Sequence, residues 1–184
     1  MAKLVIVRNC QTDWNKIKRI QGTVDVPLND EGKAIAERIA SELSVEKITA
    51  VYSSGLQRSY QTAEIIGQPH KIKPKKVQDL NELNQGVWQG LCQSEIKKRY
   101  KKQYSLWRNS PFSTKPPQGE SMKDAYDRVV NATQKIIEKH GDDVVCVVAH
   151  EVVISLIKCH FTQQDINNMW KTTPGIGVWE ALEV

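Results

Sequence analysis

The chain has 184 residues, of which 40% are hydrophobic and 26% are charged, with a net charge of +5. These values fit one soluble globular domain with a substantial core. The longest apolar runs, such as Val144–Ala149, are far too short to cross a bilayer. The N-terminal residues also lack the pattern of a signal peptide. We therefore expect a cytoplasmic protein that does not enter a membrane.

Strands and helices are predicted to alternate, with a polar, loop-like stretch between the first strand and Asn29. In chain order, the pattern predicts a strand over Lys3–Val7, a helix over Glu31–Leu43, a strand over Ile48–Tyr52, a helix over Leu56–Ile66, an edge strand over Lys71–Val77, a basic helix over Glu95–Trp107, a proline-containing loop over Asn109–Gly119, a helix over Ser121–His140, a strand over Val144–Ala149, a helix over Val152–His160 and a last strand near Gly177–Glu183. Such alternation predicts an α/β fold, a three-layer sandwich with a mostly parallel sheet and helices on both faces. We expect a single domain over residues 1–184.

Part of the positive charge lies in two clusters of basic residues. These are Lys71, Lys73, Lys75 and Lys76, and Lys97, Lys98, Arg99, Lys101 and Lys102. Such clusters could attract nucleic acid or an acidic partner. We favour solvated helix faces and do not expect nucleic acid, because no aromatic-rich strand accompanies them. The four cysteines show no paired spacing, which indicates free thiols in a reducing compartment.

Three potentially cationic side chains follow predicted strands. Arg8 directly follows the first strand, Arg58 lies in the first turn of the helix after the second, and His150 lies at the C-terminal end of the strand Val144–Ala149. In open parallel sheets, ligands bind beyond the carboxyl ends of the strands. Arginine presents a fork of donors that matches phosphate oxygens, and nearby helix N-termini add backbone N–H groups. The sequence therefore predicts an anion site rather than three separate surface salt bridges.

Blocks of sequence along nearly the whole chain carry a more specific signal. The first ends in Arg8-Asn9-Cys10 and continues to Asn15, and another, Ser53–Ala63, reads SSGLQRSYQTA. The remaining blocks are Gln21–Gly32, Leu80–Gly90, Gly119–Ser121 and Val147–His150. In this order they resemble the histidine phosphatase superfamily, which is phosphoglycerate-mutase-like. The length of the chain is typical of its small phosphatase branch.

The resemblance implies a covalent phosphatase mechanism. In the family, a histidine attacks phosphorus, and a carboxylic acid protonates the leaving oxygen and then activates water. The implied ligand is phosphate or a small phosphomonoester, and no metal or cofactor is implied. Carried over to this sequence, Glu82 is the general acid/base, and the phosphate-binding and pocket residues are Arg8, Thr12, Asn15, Arg58 and His150.

The sequence departs from the family pattern at the nucleophile. Asn9 occupies the position of the attacking histidine, and Cys10 and Glu151 occupy positions where the family has glycine. An amide nitrogen has no basic lone pair for phosphorus, although it can hydrogen-bond a phosphate oxygen. We therefore favour a pseudoenzyme, non-catalytic or very weakly active, that binds phosphate. Some family members that lack the histidine act beside an active subunit, so a homo- or hetero-oligomer with an active paralogue is also expected.

Under alternative hypotheses, the chain is an active, metal-independent phosphatase that uses another catalytic group. Cys10 could replace the nucleophile if Arg8 and Arg58 lower the pKa of its thiol. His150 could also attack phosphorus, or Glu82 could activate water directly. A deliberately inactivated form of an active enzyme is a further alternative. A metal site is not expected, because Cys146 and His150 would lie about 13 Å apart along a strand.

Overall fold

The computed structural model describes residues 3–184. Its strands are β1 (Lys3–Arg8), β2 (Ile48–Ser53), β3 (Lys75–Lys76), β4 (Val144–Ala149) and β5 (Trp179–Glu183). They form one sheet in the order β3-β2-β4-β1-β5. β1 to β4 run parallel, and β5 pairs antiparallel with β1 at the edge. This arrangement confirms the predicted α/β fold with a mostly parallel sheet.

The helices of the described residues cover both faces of the sheet. They are α1 (Asp13–Lys16), α2 (Asp30–Leu43), α3 (Gln57–Gly67), α4 (Gln93–Arg99), α5 (Lys101–Asn109), α6 (Met122–His140) and α7 (Glu151–Phe161). The two longest begin at side-chain caps: Asn29 Oδ1 accepts the backbone N–H of Gly32 at 2.8 Å, and Ser121 Oγ accepts that of Asp124 at 3.1 Å. These caps satisfy N–H groups that have no partner within the helix.

Alternate residues of each strand supply two separate cores, because successive side chains point to opposite faces of a sheet. On one face, α2 and α3 pack against Val5, Val7, Val51, Cys146 and Val148. On the other face, α6, α7 and the α4–α5 pair pack against Leu4, Ile6, Tyr52, Val145 and Val147. β1 and β4 are thus buried on both sides, as their continuous apolar sequences predict.

Several segments differ from the sequence-based prediction. The edge strand predicted over Lys71–Val77 is only the two-residue β3. The predicted helix over Glu95–Trp107 is two helices, α4 and α5, because Tyr100 leaves helical geometry (φ −121°, ψ 33°). Its ring packs near Trp88, with the ring centroids 6.3 Å apart. This tertiary contact accompanies the break. In the stretch predicted as a loop, α1 forms because Thr12 and Asn15 cap it reciprocally.

The register of the sheet places three chain segments side by side. Arg8 pairs with Ala149 and Ser53 pairs with Val148, so the residues that follow these strands meet at one edge. Within residues 3–184, no helix has both the length and the apolar character needed to cross a membrane.

Candidate functional site

A cavity of about 210 Å³ opens at the carboxyl ends of β1, β2 and β4. Six of the residues selected from the sequence line it: Arg8, Asn9, Asn15, Arg58, Glu82 and His150. The structure therefore brings together residues that are far apart in the chain, at the place where a parallel sheet is expected to bind a ligand.

Two arginines supply positive charge to the cavity. Arg8 donates to the carbonyl of Pro174 at 3.1 Å and pairs with Glu151 at 2.7 Å. Arg58 is 2% exposed and donates to the carbonyls of Gly22 and Val24 at 2.6 and 2.8 Å. Burial lowers the pKa of Arg58 to about 10, so it remains protonated at neutral pH. Each guanidinium has five N–H donors, which leaves donors for an anion.

Glu82 brings a buried carboxyl group to the same cavity. Its oxygens accept the backbone N–H groups of Leu83 at 2.8 Å and Val152 at 3.3 Å. Burial raises the pKa of Glu82, while the Leu83 hydrogen bond and the Arg58 charge act in the opposite direction. A raised pKa moves a carboxyl group towards the range in which it can donate a proton near neutral pH.

The loop that carries Glu82 is held by a residue that the sequence reading missed. Arg128, on α6, donates to the carbonyls of Asp79 at 2.6 Å and Asn81 at 2.8 Å. The same guanidinium forms a bidentate pair with Glu120, at 2.6 and 2.9 Å. Arg128 therefore fixes the backbone on the N-terminal side of Glu82.

His150 takes part in a buried hydrogen-bond chain with Asn9 and Ser54. Asn9 Nδ2 donates to the carbonyl of Cys10 at 3.0 Å, so Asn9 Oδ1 is the acceptor that faces His150 Nδ1 at 3.0 Å. His150 Nδ1 therefore carries the hydrogen, and Nε2 accepts the Ser54 hydroxyl at 2.7 Å. Both ring nitrogens are occupied, and the imidazole is neutral.

The protonation of His150 makes stability depend on pH. Burial lowers the pKa of His150 well below 6.5, and the charges of Arg58, Arg128 and Arg8 act in the same direction. Below pH 6.5 the unfolded chain therefore binds a proton that the folded chain does not. We expect His150 to reduce the free energy of unfolding by up to about 1.4 kcal/mol per pH unit as pH falls below 6.5.

The substitution His150→Gln tests this dependence. Urea unfolding between pH 7.5 and 5 should show a shallower loss of stability in the variant than in the native chain. His70→Gln is the matched control, since His70 lies outside the cavity. Equal slopes for the native chain and His150→Gln would contradict the assignment of a neutral, buried His150.

Cys10 does not face the cavity, contrary to its proposed role as a replacement nucleophile. Its side chain is fully buried in the core beneath α2, near Leu28, Ala36 and Ala63. Burial raises the pKa of its thiol to about 11, whereas the sequence-based hypothesis required a lowered pKa. A protonated thiol directed into the core has no access to phosphorus.

Thr12 was also expected to line the pocket, and the structure corrects this expectation. Thr12 is fully buried and caps α1, where its Oγ1 accepts the backbone N–H of Asn15 at 3.3 Å. In return, Asn15 Oδ1 accepts from the backbone N–H and the hydroxyl of Thr12, at 2.8 and 3.0 Å. Thr12 thus orients Asn15, which does line the cavity.

The outer wall of the cavity comes from loops, and of its residues Gln21 and Gln85 lie within the sequence blocks that resemble the family, whereas Lys18, Arg19 and Gln93 do not. Lys18, Arg19, Gln21, Gln85 and Gln93 line the cavity from this side. Backbone hydrogen bonds join the two loops: Ile20 N–H donates to Leu91 at 2.9 Å, and Gln93 N–H donates to Lys18 at 3.0 Å. This pairing between distant loops cannot be read from local sequence.

Known proteins are similar to this chain in both sequence and fold. A family model described as the histidine phosphatase superfamily (branch 1) matches residues 4–183. Phosphoserine phosphatase 1 of Hydrogenobacter thermophilus is 31% identical over 170 residues, which cover 92% of this chain and 81% of that protein. Phosphoglycerate mutase-like protein 4 of Arabidopsis thaliana is 40% identical over 156 residues, which cover 83% of this chain and 68% of that protein.

Solved structures agree with this relationship. Bacillus stearothermophilus YhfR superimposes with a TM-score of 0.92 at 27% identity, covering 100% of this chain and 92% of that chain. A mycobacterial glucosyl-3-phosphoglycerate phosphatase in complex with inorganic phosphate superimposes with a TM-score of 0.87 at 26% identity, covering 100% and 90% of the two chains. The chain belongs to the histidine phosphatase superfamily.

Proposed function

We propose that this chain binds phosphate or a small phosphomonoester in the cavity but forms no phosphohistidine, so that it is non-catalytic or very weakly active. The observation that carries the proposal is Asn9. By the resemblance of the sequence blocks, Asn9 stands at the position of the family's nucleophile, and in the structure its amide is bonded to the Cys10 carbonyl and to His150. An amide nitrogen has no basic lone pair with which to attack phosphorus.

Neither His150 nor Cys10 is well placed to replace the nucleophile. The lone pair of His150 Nε2 accepts the Ser54 hydroxyl, and its Nδ1–H donates to Asn9. The Cys10 thiol lies in the core. These contacts support a binding role over a covalent mechanism.

The charges of the cavity support retained binding of an anion. Arg8, Lys18, Arg19 and Arg58 line it, against the carboxyl groups of Glu82 and Glu151. Glu151 is already paired with Arg8, and burial raises the pKa of Glu82. The cations therefore outnumber the carboxylates available to oppose them. The mycobacterial phosphatase of the same fold was solved in complex with inorganic phosphate, which supports phosphate as the ligand to test.

Titration calorimetry with inorganic phosphate tests the proposal. The native chain should bind phosphate at low salt, and Arg8→Gln or Arg58→Gln should weaken binding about 10- to 100-fold, because each removes charge-assisted hydrogen bonds. Arg99→Gln is the matched control, since Arg99 carries the same charge on the exposed face of α4 and lies outside the cavity.

Two results would overturn the binding proposal. One is a native chain that does not bind phosphate at low salt. The other is a loss of affinity in Arg99→Gln as large as that in Arg8→Gln. Using both arginine variants keeps the test decisive if the buried Arg58 proves necessary for folding.

A second candidate function is slow hydrolysis through water activated by Glu82. The observation that favours it is that the Glu82 carboxyl group lines the cavity together with Arg58. A raised pKa makes the ionised carboxylate a stronger base towards water, although a smaller fraction of it is ionised at a given pH. Turnover by the native chain well above that of Glu82→Gln would establish this candidate instead.

The proposal extends to partners and ligands. We propose an oligomer, with copies of this chain or with an active paralogue that supplies the missing nucleophile. We also propose a reducing, cytoplasmic location, which is consistent with four free cysteines. Because relatives are named phosphoserine phosphatase and phosphoglycerate mutase-like protein, phosphoserine and phosphoglycerate are suitable first phosphomonoesters to test.

A further inference from the structure

We infer that the corner between α4 and α5 is a docking groove for an acidic, extended segment of a partner protein. The groove lies outside the phosphate cavity, so this inference goes beyond the proposed function and does not rest on it. It gives a binding role to one of the two basic clusters that were expected to be solvated helix faces: Lys97, Lys98, Arg99, Lys101 and Lys102.

The positive charge of the chain is concentrated in this part of the sequence. Residues 96–119 contain seven lysines and arginines and no aspartate or glutamate, which gives this segment a charge of +7. Because the whole chain carries +5, the remainder of the chain is left with −2. The excess of positive charge is therefore a property of one segment, where it can attract an acidic partner.

The basic side chains of this corner lack counterions. Within residues 3–184, four exposed lysines of the corner form no side-chain ion pair or hydrogen bond: Lys97, Lys98, Lys101 and Lys102. Arg99 pairs with Glu95 at 3.6 Å. In the other basic cluster, two of the four lysines lie over aromatic rings, 5.9 and 4.2 Å from the ring centroids. The corner between α4 and α5 therefore has charge available for a partner.

The arrangement of these charges costs free energy in the free protein. Five of the six residues from 97 to 102 are basic, and neighbouring like charges repel each other. Lys101 and Lys102 also lie in the first turn of α5, which holds no acidic residue, and the helix dipole disfavours cations at this end. Stability therefore does not explain the arrangement, whereas binding of an acidic segment does, because it relieves both penalties.

The corner forms a groove with a defined lining. Its volume is about 350 Å³, and the residues that line it are Lys97, Lys101, Tyr104, Ser105, Arg108 and Asn109. Three of the six are cationic, three carry hydroxyl or amide groups, and none is acidic. Cations pair with carboxylates, whereas hydroxyl and amide groups can hydrogen-bond a peptide backbone. Among the six, Tyr104 alone is aromatic, so they offer no row of rings on which the bases of a nucleic acid strand could stack.

The aromatic core beneath the groove holds two of its side chains in place. The Arg108 guanidinium lies over the ring of Trp170, 4.2 Å from its centroid. Tyr104 packs against Trp88 and Trp107, with the ring centroids 5.8 and 6.2 Å apart. Within residues 3–184, no hydrogen bond engages the Arg108 guanidinium, so its donors are available for a carboxylate. Such preorganisation lowers the entropic cost of binding.

The sequence indicates that the acidic segment comes from a different protein. This chain contains no run of more than two consecutive acidic residues, so it has no strongly acidic segment that could fill the groove of a second copy. Gln93, at the start of α4, lines the phosphate cavity, and Lys97 follows it by about one helical turn. A partner docked in the groove would therefore lie beside the mouth of the cavity.

Fluorescence anisotropy with a labelled hexaglutamate peptide tests the inference. The native chain should bind the peptide at low salt and lose affinity as salt is added. The double variant Lys97→Gln, Lys101→Gln should bind it about 5- to 30-fold more weakly, because two charges leave the groove. The double variant Lys71→Gln, Lys73→Gln is the matched control. It removes the same charge from the other cluster and should keep the native affinity within about 2-fold.

The thermal unfolding midpoint separates loss of binding from loss of fold. In Lys97→Gln, Lys101→Gln the midpoint should not fall below that of the native chain, because the substitutions relieve repulsion between exposed lysines. A lower midpoint would show that the lysines stabilise the fold, which contradicts the inference that their arrangement serves binding.

Three binding results would overturn the docking groove. The first is a native chain that does not bind hexaglutamate at low salt, and the second is an equal loss of affinity in the two double variants. The third is a groove variant that loses affinity for a labelled DNA duplex but not for hexaglutamate, since the occupant would then be a nucleic acid. None of these measurements involves phosphate, so the proposed function stands or fails separately.

Discussion

A variant with Asn9→His and Cys10→Gly is expected to hydrolyse small phosphomonoesters at least about 1,000-fold faster than the native chain, because residues that act as a catalytic unit regain function only when the missing member returns. Position 9 lines the cavity with Arg8, Arg58 and Glu82. An imidazole there supplies the basic lone pair that the amide lacks. Release of inorganic phosphate from glycerol 3-phosphate is the measurement.

The single variant Asn9→His separates the two changes. Because the Cys10 side chain points into the core rather than the cavity, we expect Asn9→His alone to gain activity comparable to that of the double variant. Adding Glu82→Gln to either should remove most of the gain, since Glu82 is then the proton donor. If Asn9→His and the double variant both bind phosphate but remain as slow as the native chain, the proposal that only the nucleophile is missing is contradicted.

The substitution Trp88→Ala is expected to lower the free energy of unfolding by about 3–5 kcal/mol, a large fraction of the roughly 5–15 kcal/mol of a typical domain. Trp88 is fully buried. Its ring centroid lies 5.6 Å from that of Trp107, 5.8 Å from Tyr104 and 6.3 Å from Tyr100. Removing the indole leaves a cavity beneath α4 and α5 that these rings cannot fill.

Urea denaturation measures this loss as a shift of the midpoint. Trp179→Ala is the comparison, because Trp179 lies on the edge strand β5 and is only partly buried. The decrease in the free energy of unfolding should be clearly smaller in Trp179→Ala than in Trp88→Ala. A loss of stability in Trp88→Ala no greater than that in Trp179→Ala would show that the aromatic cluster does not anchor α4 and α5.

Elements specified by local sequence could be predicted well. Val144–Ala149 is a strand with the predicted bounds, because a continuous apolar run that stops at a polar residue strongly indicates a buried strand ending there. α6 ends at His140, directly before Gly141, which adopts φ 55°, a conformation that favours glycine. The break at Tyr100 could not be predicted, since it coincides with a ring contact to Trp88, a residue outside both helices. Likewise, the local sequence does not indicate that β3 is only two residues long.

Some features of the candidate site could likewise be predicted from the sequence, and others could not. Arg8, Arg58 and His150 could be placed from their positions at strand ends, and Glu82 from the family resemblance. The directions in which the side chains of Thr12 and Cys10 point could not be predicted, because they depend on how the chain turns after β1. The partners of His150 also lay beyond sequence reasoning, since Ser54 and Asn9 reach it only through the pairing of β4 with β1 and β2.

The strand order has a consequence for how the protein is made. β4 lies between β1 and β2 in the sheet, yet it is synthesised long after both. At about 5–20 residues per second, β1 and β2 leave the ribosome several seconds before β4 exists to join them. Until then their apolar faces lack both their central partner and the helices α6 and α7. Pairings between such distant segments also slow folding, so we expect the nascent chain to be most prone to aggregation before β4 has been translated.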